Sequence, residues 1–129
     1  MLMRTLATAV AAGRVGFGAG LALAPGAVAA PWIGADAKNA RTQMLVRGFG
    51  VRDVALGLGG LRSLRGGGAG ATRWWFAAQS VSDASDLLTT LAAGHELPRR
   101  VRIGVAALAA TGAGIGCAVA LADPRATAR

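Results

Sequence analysis

The two aspartates of one largely apolar stretch are the residues best suited to proton transfer. Asp83 and Asp86 are three positions apart, about one helical turn. Two carboxyl groups at that spacing tend to share a proton, so that one acts as an acid and the other as a base. At about 100° per residue, Gln79 and Thr90 fall on the same helical face, within an arc of about 60°. These four residues predict a polar stripe along one side of a helix.

A third carboxylate and two arginines lie in the preceding apolar stretches. Asp53 directly follows Arg52 and shares a helical face with the small residues Gly50, Gly57 and Gly60, where another backbone can approach closely. Arg14 lies in the first stretch. An arginine stays protonated, and its planar fork can bond two carboxylates at once. We therefore predict one polar cluster, formed by Arg14, Arg52, Asp53, Asp83 and Asp86.

Two interpretations of this cluster stay open at this point. It could be an ion-pair network that determines which helices pack together. It could also be a site, because ionisable residues inside membrane helices often mark substrate or proton positions. In the second case the candidate catalytic residues are Asp53, Asp83 and Asp86. The candidate binding residues are Arg14, Arg52, Gln79 and Thr90.

Four apolar stretches must position these residues, and each has about the 20 residues needed to cross a bilayer. They run roughly over 5–24, 44–64, 74–93 and 101–122. The chain of 129 residues is 53% hydrophobic and 16% charged, against about 25% charged in soluble proteins. We predict an all-α, four-helix transmembrane bundle that forms a single integral membrane domain over 1–129.

The charges divide according to the same four stretches. Within them the charged residues sum to zero: Arg14, Arg47, Arg52, Asp53, Asp83 and Asp86. The charged residues outside account for the whole net charge of +8, as expected of headgroup anchors rather than a DNA-binding face. Arg47 is the doubtful member of the inner set, nearer the interface. We expect a multi-pass protein of the cytoplasmic membrane with both termini in the cytoplasm.

Two alternatives to this organisation stay open, and the fourth stretch carries a prediction of its own. Residues 27–29 resemble a signal-peptide cleavage site, although Arg14 interrupts the apolar region that precedes it. The polar third stretch could lie at the membrane surface. In the uncharged fourth stretch, the small residues predict a packing face at Gly104, Ala107, Thr111, Gly114 and Ala118.

The remaining reactive residues indicate no further chemistry. His95 is expected in an interfacial loop beside Glu96, and the single Cys117 is expected to pack as a small apolar residue. The glycine run 66–70 lacks the Lys-Ser/Thr of a phosphate-binding loop. We expect no cofactor, no metal and no nucleic-acid partner.

The run from Gly50 to Gly57, with Gly13-Arg14 before it and Asp83-x-x-Asp86 after it, resembles a family of small bacterial and fungal membrane proteins. That resemblance implies four helices and family-wide polar positions, and it implies no activity. Four roles are therefore carried forward. The first is a membrane bundle with a buried Arg/Asp network, and the second is an intramembrane acid–base isomerase or cyclase. The third is a structural subunit of a membrane complex, and the fourth is a small transporter or proton-coupled carrier, which a chain of 129 residues would form only as an oligomer. The expected partners are membrane lipid, an apolar small molecule, and a second copy or another membrane protein.

Overall fold

The structure, a computed structural model, describes residues 2–122, which are helical except at the junctions between helices and at the final residue and contain no strand. Four long helices and one short helix follow in order: α1 (Leu2–Leu23), α2 (Pro25–Ile33), α3 (Ala40–Arg62), α4 (Gly68–Ala92) and α5 (Arg99–Leu121). The all-α prediction is confirmed. Helix α2 was not predicted, and α4 begins six residues before the third stretch was expected to begin.

Helix α4 begins within the glycine run that the sequence placed in a loop. Residues Ser63–Gly67 join α3 to α4 through a kink at Gly66, whose backbone angles are not helical, and Gly68 has a φ of +75°. That left-handed conformation favours glycine, because a Cβ would be strained there. The glycine run is thus a tight junction between two helices.

The long helices associate most closely as two pairs, α1 with α3 and α4 with α5. Glycines permit the crossing of the α1–α3 pair. A Cβ built on Gly50 would lie 2.5 Å from the carbonyl oxygen of Gly18, and one on Gly57 would lie 2.6 Å from that of Ala11. Larger side chains would force these two backbones apart.

The α4–α5 pair uses a different face of α5 from the one predicted. Gly104, Ala107, Thr111, Gly114 and Ala118 are all exposed, so that prediction was wrong. A Cβ on Gly116 would lie 3.0 Å from the carbonyl oxygen of Phe76, and the Ser80 hydroxyl donates to the Ala113 carbonyl at 2.7 Å. Phe76 and Ser80 of α4 determine which face of α5 packs against that helix. The composition of α5 alone does not show this.

An arginine from elsewhere in the bundle caps the C-terminal end of each long helix. In chain order of the helices, these bonds join Arg47 to Ala22, Arg4 to Leu64, Arg102 to Gly94 and Arg73 to Ala120. Each guanidinium donates to a backbone carbonyl in the last turn of a long helix or within two residues beyond it, at the negative end of the helix dipole. Because Arg4 begins α1 and Leu64 follows α3, the same bonds show that the paired helices run antiparallel.

Two of the four long helices, α1 and α5, are long and apolar enough to cross a membrane. A buried core helix of a soluble protein, or an N-terminal signal sequence, has the same length and composition. These two helices alone are therefore weak evidence of membrane association.

Candidate functional site

Arg14 joins two helices from the middle of α1. Its Nη1 donates to Oδ1 of Asp53 on α3 at 2.9 Å, and its Nη2 donates to Oδ1 of Asp83 on α4. The three side chains are between 8% and 11% exposed. Arg14 therefore connects the α1–α3 pair to the α4–α5 pair within the interior of the bundle.

Arg52 makes a second connection between the pairs. Its Nη1 and Nη2 donate to Oδ1 and Oδ2 of Asp86, at 3.3 and 2.8 Å, in the bidentate arrangement that suits a guanidinium. Its Nη2 also lies 3.3 Å from Oδ1 of Asp53, and its guanidinium stacks 5.3 Å from the ring centroid of Phe49. The side chains of Arg52 and Asp86 are 33% and 36% exposed, so this end of the cluster lies nearer the surface.

The five residues form a chain of alternating charge, which we call the Arg/Asp network: Asp83, Arg14, Asp53, Arg52 and Asp86. It runs from a buried end at Asp83 to a half-exposed end at Asp86. The predicted buried ion-pair network is confirmed, with all five expected members. The network contains three carboxylates and two guanidiniums, so it carries a formal charge of −1 when every member is ionised.

Glycines bring the network members within reach of one another. The predicted small face of α3 is buried, with Gly50, Gly57 and Gly60 on the same side as Asp53. A Cβ on Gly18 of α1 would lie 2.9 Å from the Cβ of Asp53. Because the two backbones are this close, Arg14 reaches Asp53 and still extends to α4.

The sequence did not identify Gly112 on α5 as part of the site. A Cβ at that position would overlap Oδ2 of Asp83. Helix α5 carries no charge there, and a glycine among many gives no distinctive signal. The contact between Gly112 and Asp83 becomes apparent only when α5 is packed against α4.

The two uncharged candidates lie near the network but bond to backbone atoms. Gln79 is 1% exposed and donates from Nε2 to the Leu56 carbonyl at 3.1 Å. The Thr90 hydroxyl donates to the backbone carbonyl of Asp86 at 2.6 Å. Both residues are buried on the expected side of α4, and their role in ligand binding stays a prediction.

Four buried side-chain atoms have no hydrogen-bond partner among the described residues: Arg14 Nε, Gln79 Oε1, Ser82 Oγ and Asp83 Oδ2. Ser82 was not among the candidates, because it lies beside the predicted stripe rather than on it. All three of the residues on α4 lie within about one turn of the helix. The buried polar atoms without a hydrogen-bond partner are therefore concentrated at the buried end of the network, around Asp83.

The other sequence candidates lie outside the network. Arg47 is exposed and caps α1 through the Ala22 carbonyl, which resolves its doubtful placement. His95 and Glu96 are exposed and 3.6 Å apart in a short turn after α4. Cys117 is exposed on α5 rather than packed, because the contacting face of that helix is the one bearing Gly112 and Gly116.

No family model matches the chain, and no curated protein or solved structure matches it. The resemblance carried by Gly50–Gly57 and by the Asp83 and Asp86 pair stays a prediction.

Proposed function

We propose that this chain is a multi-pass integral membrane protein in which α1, α3, α4 and α5 all cross the bilayer and the Arg/Asp network fastens the two helix pairs together. The observation that carries the proposal is the inverted distribution of side chains. Polar and small residues occupy much of the interior, beside a small apolar core that includes Phe76 and Val119, and many large apolar residues lie on the outside.

Helix α3 illustrates the inversion most directly. Its buried residues are Asp53 and four glycines, and none is a large apolar residue. Its exposed residues include five large apolar side chains, Met44, Leu45, Phe49, Val51 and Leu58, beside the arginines Arg41, Arg47 and Arg62. Leaving such a side chain exposed to water instead of burying it costs roughly 1.5–3 kcal/mol, whereas exposure to lipid carries no such cost.

The outside of the bundle is apolar on the other long helices as well. Val81 on α4 is 71% exposed and Leu108 on α5 is 66% exposed. The buried set includes Asp53, Gln79 and Asp83. Charged residues in lipid are expected to face the bundle interior and to pair there, which is the arrangement these residues have.

The lengths of the helices suit four crossings. They contain 22 to 25 residues, or about 33–38 Å at a rise of about 1.5 Å, against an apolar bilayer core of about 30 Å. Helices α3 and α4 are not among the helices apolar enough by composition to span, in part because they carry the network aspartates and Arg52. The exposed Arg47 on α3, and the Gln, Ser and Thr residues of α4, lower the hydropathy further. Since the network charges are paired within the bundle, mean hydropathy understates how apolar the outer surfaces are.

The pairing within the network favours a structural role over an acid–base enzyme. Each of the three aspartates binds an arginine, and the one buried carboxylate oxygen without a partner, Oδ2 of Asp83, lies against the backbone of α5 at Gly112, where a substrate could not reach it as it reaches a general base. Two of the network contacts, Arg14–Asp83 and Arg52–Asp86, connect the two helix pairs, and the bond from Gln79 to the Leu56 carbonyl adds a third polar link. The bundle so assembled would present its exposed apolar surface to lipid or to another membrane protein.

Single-cysteine labelling in native membrane vesicles tests the topology. On a Cys117→Ala background, cysteines at Ala35 and His95 should react with an impermeant maleimide from one side, and a cysteine at Gly66 from the other. A cysteine at Val51 should stay unlabelled until detergent is added. Release of the chain by alkaline carbonate, or labelling of all four positions from one side, would contradict the proposal.

A further inference from the structure

We propose that the Arg/Asp network binds one exchangeable proton, held on Oδ2 of Asp83, which makes the assembled network neutral. This inference rests on the proposed function, because it requires that the network be surrounded by apolar material rather than by water. It adds a ligand, the proton, to a cluster whose structural role alone was proposed above.

The charge balance is the first argument. The charged groups that face Asp83 are Arg14 from α1, Asp53 from α3, and Asp86 further along α4 itself. Helix α5 contributes Gly112, and its charged residues in the described range are confined to its first turn: Arg99, Arg100 and Arg102. Within the described range, α5 therefore supplies no positive charge near Asp83 to balance the third carboxylate of the network. In a low-dielectric interior, an uncompensated carboxylate is expected to take up a proton.

The hydrogen bonds identify which carboxyl group holds that proton. Oδ1 of Asp53 accepts from both arginines, and both oxygens of Asp86 accept from Arg52. Asp83 accepts from Arg14 through Oδ1 alone, while its Oδ2 is buried without a partner among residues 2–122. An ionised oxygen left in this state would be costly, whereas a protonated one carries no charge.

The surroundings of Oδ2 suit a neutral carboxyl group. On one side it lies against the backbone of α5 at Gly112, where no side chain intervenes. One turn earlier on the same face of α4, Gln79 Oε1 is a buried acceptor that also has no donor in the described part of the chain. A protonated Asp83 would place a hydrogen-bond donor in a region where this buried acceptor oxygen has none.

The chemistry is reversible binding of H⁺ to a carboxylate: one O–H bond forms, and no other bond changes. Arg52 and Asp86, at the half-exposed end of the network, connect it to the outside of the bundle. Any change that adds or removes a charge along the network would therefore alter how firmly Asp83 holds its proton.

Infrared spectroscopy of the full chain in phosphatidylcholine vesicles tests the proposal, because the carbonyl stretch of a protonated carboxyl group is distinct from that of a carboxylate. The folded, inserted protein at neutral pH should show this band. It should shift when aspartate carboxyl carbons are labelled with ¹³C, which assigns it to Asp without any substitution. Asp83→Asn should abolish the band, and the matched control Asp36→Asn, which alters an exposed acid outside the network, should leave it unchanged.

Three outcomes would overturn the proposal: no such band in the inserted wild-type chain, a band unaffected by the aspartate label, or a band that survives in Asp83→Asn. Balance by a bound metal cation instead of a proton would give the first of these. If Asp83→Asn does not fold, the label experiment on the wild type still decides. Flotation of the vesicles and circular dichroism are measured first, so that a chain that fails to insert contradicts the membrane proposal and not the proton site.

Discussion

The carboxylate of Asp83 lies directly against the α-carbon of Gly112, with no space for a side chain between α4 and α5. Asp83 is at the same time bound to Arg14 on α1. One aspartate is thus held between an arginine from one helix pair and the bare backbone of its own partner helix. This arrangement makes the stability of the bundle sensitive to a glycine in a helix that carries no charge near it.

Substituting Gly112→Ala should destabilise the protein by about 1–3 kcal/mol, because the added methyl group overlaps a short, buried and ion-paired side chain. Thermal unfolding in detergent measures the change. Gly114→Ala, two residues further along the same helix, meets nothing within 4 Å and should be neutral or stabilising by about 0.5–1 kcal/mol. Equal effects of the two substitutions would show that α5 does not pack against α4 through this face.

At the crossing of α1 and α3, Gly18→Ala should cost more than Gly112→Ala. The new Cβ would lie 2.6 Å from the carbonyl oxygen of Gly50 and 2.9 Å from the backbone nitrogen of Val54, and backbone atoms cannot rotate away. The expected result is weaker α1–α3 association and a lower midpoint of thermal unfolding. Gly16→Ala, in open space on the same helix, is the matched control. A wild-type midpoint for Gly18→Ala would exclude the close crossing.

Neutralising the network arginines should give a graded series. Arg14→Gln leaves the buried Asp83 without a guanidinium and Asp53 with only that of Arg52, and it should cost about 3–5 kcal/mol. Arg52→Gln should cost less, because Arg52 and Asp86 are about one-third exposed and their contact is less enclosed by protein than that of Arg14, whose side chain is 8% exposed. Arg47→Gln removes only a helix cap and should have the smallest effect. Chemical unfolding in mixed micelles gives the order, and an Arg52 effect as large as that of Arg14 would contradict it.

A charge on the outer surface of α3 should distinguish a lipid-facing helix from a solvent-facing one. Val51 is 61% exposed near the middle of α3. Val51→Lys should disfavour membrane insertion by about 2.5–3.5 kcal/mol and lower the amount of chain in the membrane fraction. Ala35→Lys, in the exposed turn before α3, should leave insertion unchanged. Improved solubility of Val51→Lys with no loss of folding would instead indicate a protein that folds in water.

Much of the site was accessible from the sequence because it depends on the local periodicity of single helices. The spacing of Asp83 and Asp86 and the position of Asp53 among glycines each assign residues to one face of one helix. Charge within apolar stretches then identified which residues must meet, since an unpaired ion in such surroundings is costly. The all-α class and the membership of the Arg/Asp network follow from these local features.

Only the tertiary structure decided which helix each face meets. Periodicity orients a side chain about its own helix axis and carries no information on the neighbouring axis. It therefore could not show that Arg14 bonds Asp53 and Asp83 while Arg52 takes Asp86, or that α5 turns Gly112 rather than Gly114 inward. Those pairings depend on the crossing of α1 and α3 at Gly18 and on the contact of α5 with α4, which are properties of the assembled bundle.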